Sequence, residues 1–82
     1  MIVRLRRYSA ELRVDLVDDE IRVSLPDTCY TVSYFKPANS PQLLARGIPT
    51  RDDRRLPMSL SEFLLRAWRA ANLKAQEIGW IN

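Results

Sequence analysis

Residues 11–36 alternate apolar and polar so regularly that a single pairing register satisfies every position. Folding 11–17 against 20–25 puts Leu12 opposite Leu25, Val14 opposite Val23 and Leu16 opposite Ile21. The same register sets Asp15 opposite Arg22. A third segment, 28–36, folds back so that Val23 meets Tyr30 and Ile21 meets Val32. One face is then apolar and the other polar, and a slip of one residue would exchange them. Asp18-Asp19 makes the first hairpin loop, because Asp tolerates the positive φ such loops need. Pro26-Asp27 makes the second, and Pro37 ends the third strand because it lacks a ladder donor.

Residues 37–58 hold prolines at 37, 41, 49 and 57, which excludes a long helix or a central strand. Within them, Ser40-Pro41 followed by Gln-Leu-Leu-Ala-Arg and Gly47 predicts a short helix over 41–46. Arg51-Asp52-Asp53-Arg54-Arg55 reads as a charged, exposed loop.

The predicted helix over 59–79 has the clearest end signals. Ser59 and Glu62 have the spacing of a capping box, and Met58 and Phe63 that of a hydrophobic staple. Leu64, Trp68, Ala71, Ala75 and Ile78 recur at helical spacing, and Leu60, Phe63 and Ala67 widen the stripe. Gly79 fits the left-handed position that ends a helix, which lets Trp80 fold back toward Ala75.

A three-stranded sheet with one apolar face is not stable alone, and this helix supplies the cover. The expectation is a single α+β domain: an antiparallel β-meander of three strands, or four if residues 2–8 pair at its edge, under a long C-terminal amphipathic helix. Residues 2–8 read equally as that edge strand or as an extended basic arm. The tail 80–82 is apolar. Trp68 is expected in the core, where its loss would come close to unfolding the domain.

Charge is unevenly placed. The chain carries +3 overall. Residues 1–10 contain Arg4, Arg6 and Arg7 with no acid, whereas residues 11–36 set three basic groups against six acidic ones. With a single cysteine no intramolecular disulfide can form, and a small fold without staples fits a reducing cytoplasm. The first residues lack the apolar run of a signal peptide, and no stretch is long and apolar enough to cross a membrane.

The chain has no histidine, one cysteine and two glycines. Those absences remove histidine-based acid/base and nucleophile chemistry, the usual zinc sites and a glycine-rich phosphate cradle. They point away from an enzyme, a metal or a cofactor. Cys29 reads as a small, half-exposed strand residue opposite Ser24. Asp18-Asp19-Glu20 reads as a turn, because it lacks the alternating oxygen ligands of a calcium loop.

The residues left for function are the arm arginines Arg4, Arg6 and Arg7, the loop arginines Arg46, Arg51, Arg54 and Arg55, and Trp80. Two functions follow. The first is a cytoplasmic protein-interaction or accessory module that meets a protein partner or a second copy of itself. The alternative is a nucleic-acid-binding protein that grips phosphates through those arginines, because the guanidinium fork donates in pairs. The polar sheet face carries Arg13, Arg22, Ser24, Thr31 and Ser33. It also carries Glu11, Asp15 and Glu20, which repel phosphate.

Overall fold

The computed structural model describes residues 11–82; the candidate strand at 2–8 and Arg4, Arg6 and Arg7 lie outside them. Strands β1 (Arg13–Val17), β2 (Glu20–Ser24), β3 (Thr31–Phe35) and β4 (Leu44–Arg46) form one antiparallel sheet in sequence order, followed by helix α1 (Leu60–Glu77). The α+β meander expected from the pattern is present, and its fourth described strand comes from the proline-rich segment.

β1 and β2 pair in the expected register, with Val14 opposite Val23, Asp15 opposite Arg22 and Leu16 opposite Ile21. Asp18 takes the positive φ of the hairpin, 56°. β2 and β3 differ from expectation. Val23 lies opposite Val32 and Ile21 opposite Tyr34, a shift of two residues. The connection is longer than Pro26-Asp27. Thr28 N–H donates to the Leu25 carbonyl, Asp27 adopts φ 66°, and Thr28 Oγ1 both donates to the Leu25 carbonyl and accepts from the Tyr30 N–H. Leu25 and Tyr30 close this longer turn through the Leu25 N–H and Tyr30 carbonyl, 3.0 Å apart. Cys29 therefore sits exposed in the turn, and Thr31 takes the place opposite Ser24.

The predicted short helix at 41–46 is replaced by β4, in which Phe35 meets Leu44, Tyr34 meets Ala45 and Ser33 meets Arg46. Six residues make a helix of marginal stability, whereas the edge of β3 offers a row of backbone partners. Leu43, just before the strand, is buried.

α1 lies over β2 and touches β1 and β3 to either side. Ser59 is its N-cap and accepts the Glu62 N–H at 3.1 Å. The Glu62 carboxylate turns to Arg66, 2.7 Å away, so it makes an i,i+4 ion pair instead of the reciprocal half of the box. At the other end Gly79 has φ 83°. Trp80 N–H donates to the Ala75 carbonyl and Gly79 N–H to that of Gln76, the double bond of a Schellman ending.

The helix is rotated relative to the predicted stripe. Its fully buried residues are Phe63, Ala67, Ala71 and Ala75, each four apart. Three alanines in line let the helix settle close to the sheet over Ile21, Val23, Tyr30 and Val32, all essentially inaccessible. A tryptophan on that line would hold the layers apart. Trp68 sits on the flank at 40 % exposure with its ring against Tyr34, centroids 5.8 Å apart. Leu16, at the sheet edge, is also half-exposed where burial was expected.

Candidate interaction surfaces

Beyond β4, the proline-rich segment is anchored by one phenol at Asp52 and Asp53. The Tyr30 ring is buried against Phe63, with centroids 5.2 Å apart. Its hydroxyl donates to Asp52 Oδ1 and accepts from the Asp53 N–H, both at 3.0 Å. Asp52 Oδ1 also accepts the Leu60 N–H at 3.1 Å, adding a second cap to the helix. Burial pushes the Tyr30 phenol above its ordinary pKa. The Asp53 N–H acts in the opposite direction, and the Asp52 and Asp53 carboxylates add to the rise. Burial raises Tyr34 as well.

This anchoring disperses the arginines singled out from the sequence. Arg55 turns back on Asp53: Nε reaches Oδ1 at 3.0 Å and a terminal nitrogen reaches Oδ2 at 3.1 Å. That fork holds the Asp53 carboxyl below its usual range. Asp27, Thr28 and Cys29 line a shallow depression with Asp53, Arg55 and Leu56. Arg51 and Arg54 are exposed and make no ion pair among the described residues. Arg46 is on another surface altogether, projecting from β4 onto the outer face of the sheet. Its guanidinium carbon lies 4.3 Å from the Phe35 ring centroid, and it is ion-paired to Glu20. Trp80 packs half-buried on the core, beside a depression lined by Asp19 and Lys36.

The outer face is ordered in rows that run across the strands. One row is Asp15, Arg22, Ser33 and Arg46, and the next is Arg13, Ser24 and Thr31. Two of the three acids expected to repel phosphate are paired here, and Glu11, exposed ahead of β1, makes no ion pair among the described residues. Asp15 lies 3.1 Å from Arg13 Nε, and Glu20 is held by Arg46. Arg22 has no carboxylate partner within ion-pair distance among the described residues, and residues 1–10 contain no Asp or Glu.

The helix flank is the other surface. Leu65 is 52 % exposed one turn before Trp68, and Asn72 Nδ2 donates to the Trp68 carbonyl at 2.8 Å. Sequence reasoning missed this flank because it assigned Trp68 to the core; the alanine line at 67, 71 and 75 was the available signal. Among the described residues no group of three or more His, Cys, Asp or Glu side chains could hold a metal ion. No helix among them is long and apolar enough to cross a membrane. No family model, curated protein or solved structure matches this chain.

Proposed function

We propose that this domain is a non-catalytic protein-interaction module that works in the cytoplasm. It docks an apolar, acid-flanked segment of another protein on the Leu65–Trp68 flank of α1. The observation that carries this reading is Trp68: 40 % exposed, yet braced against the Tyr34 ring. A large aromatic held in one orientation loses little freedom on binding, and such residues dominate the energetics of protein contacts. Leu65 extends the apolar contact by one helical turn. Arg69, exposed and without an ion pair among the described residues, stands one helical turn after Leu65. It selects a partner with acidic residues around its apolar anchor, whereas a second copy brings the same positive charge. The reading no longer gives the loop arginines a common role, since Arg46 and Arg55 are engaged by Glu20 and Asp53.

A labelled peptide with Leu and Phe one helical turn apart, flanked by Glu, tests the reading against a Lys-flanked twin. Binding of the Glu peptide, about tenfold weaker for the twin and lost in a cooperatively melting Trp68→Ala variant, is expected. Equal binding of both peptides, or none, defeats the acidic-partner reading. Sedimentation showing a dimer that Trp68→Ala disperses would assign the flank to a second copy instead.

A further inference from the structure

The outer face of the sheet carries unengaged donors at its centre. A shallow depression there is lined by Arg22, Thr31, Ser33, Arg46 and Gly47. The Arg22 side chain is exposed, and neither it nor the Thr31 and Ser33 hydroxyls donate a hydrogen bond among the described residues. Arg46 has one terminal nitrogen on Glu20, which leaves donors of its fork directed elsewhere. Arg22, Ser33 and Arg46 stand on three adjacent strands in one row, with Thr31 one row away on β3. Gly47 closes the rim without a side chain, and the space a Cβ would occupy there is open.

We infer that this row is a phosphate-binding surface whose ligand is the phosphodiester backbone of a nucleic acid. Paired N–H donors with hydroxyls beside them match phosphate oxygens, and Arg matches them bidentately. The surface is flat and open, which suits an extended polyanion that lies across strands better than a small ion needing enclosure. Within the face Asp15 and Glu20 are neutralised by Arg13 and Arg46, and the unpaired Glu11 stands ahead of β1, outside the Arg22 row. The chain's +3 charge adds long-range attraction. Glu20 acts as an internal competitor for Arg46, so the face holds a stand-in for the phosphate it would take. This surface is separate from the Leu65–Trp68 flank and does not depend on the reading given to that flank.

The test is fluorescence anisotropy of a labelled random-sequence oligonucleotide, single-stranded and duplex, from about 50 to about 200 mM salt. Binding is expected to weaken linearly in log salt. Arg22→Gln and Arg46→Gln should each lower the affinity several-fold and reduce the salt slope by about one. Glu20→Gln, which releases Arg46, should raise the affinity several-fold. Arg66→Gln, on the helix, should match wild type in affinity, and all four variants should still melt cooperatively. No binding at about 50 mM salt, or an Arg22→Gln curve equal to wild type, overturns the inference. So does an Arg66→Gln loss as large as that of Arg22→Gln, which would mean unlocalised charge attraction. Full displacement by inorganic phosphate at matched ionic strength would make the site a small-ion pocket. Equal, Arg22-dependent binding of polyglutamate would make it an acidic-protein surface. Either result removes the nucleic-acid assignment.

Discussion

The two faces of this sheet are built from the same strands and divide the work between them. On the inner face Ile21, Val23, Tyr30 and Val32 meet Phe63 and the alanine line with no accessible surface left. On the outer face Arg13, Arg22 and Arg46 alternate with carboxylates and hydroxyls; Arg13 and Arg46 are matched by Asp15 and Glu20, and Arg22 is left without a carboxylate among the described residues. The difference shows how a short chain separates the face that gives stability from the face left to solvent. Strand alternation sends each successive residue to one role or the other, so changes on the outer face need not disturb the packing beneath.

The largest expected contrast is between two phenylalanines. Phe63→Ala should cost about 3–5 kcal/mol in urea unfolding, whereas Phe35→Ala on the outer face should cost less than about 1.5 kcal/mol. Similar costs would end the division just drawn. Tyr30→Phe should cost about 1–3 kcal/mol, because Asp52 loses a donor and the Asp53 N–H an acceptor.

The same substitution should show in the alkaline limb of stability. The folded-state pKa of Tyr30 is raised, so the unfolded chain loses that proton first. Stability therefore falls as pH climbs above the ordinary tyrosine value of about 10. Tyr30→Phe should make that fall shallower, and the part that remains is assigned to Tyr34. Equal slopes would detach the phenol from the effect.

Trp68→Ala should cost about 1 kcal/mol, the scale of an aromatic pair at the surface. A cost of about 4 kcal/mol would return Trp68 to the core. Smallest of all, Glu20→Gln should change stability by no more than about 1 kcal/mol. At the acid end, Asp53 is held below its usual range by Arg55. Its contribution is complete above the unfolded carboxylate pKa of about 3.9 and is lost as pH falls through the lower folded value. An acid titration of Asp53→Asn should lack that loss.

The parts of the fold legible in the sequence are those set by local chemistry. Ser59, Gly79 and the Asp18 hairpin each act within a few residues, and each appears as read. The β2–β3 register was off by two because alternation has period two: a shift of two leaves every side chain on its face, so no pattern penalises it. The turn distinguishes the two registers: the Thr28 hydroxyl bonds, the positive φ of Asp27 and the Leu25–Tyr30 backbone bond belong to the longer connection. β4 was hidden because its stability comes from the edge of β3, a partner absent from its own sequence. The helix face was misjudged because hydrophobicity favours Trp68, whereas close approach favours Ala67, Ala71 and Ala75. Of the predicted site residues, Arg55 is held by Asp53 from its own loop cluster, a neutralisation the local sequence offers, whereas Arg46 acquires Glu20, 26 residues away, a partner that no spacing rule reveals.

The Tyr30 hydroxyl has a consequence for how the domain opens. It connects the end of the second hairpin to Asp52, and Asp52 in turn holds the first amide of the helix. The four-proline segment is therefore a latch and not a tether: releasing it uncaps α1 and exposes the hydroxyl end of a core residue together. Amide exchange at Asp53 and Leu60 should then report the same opening event as the central strand, so this stretch of coil would carry the protection of the core.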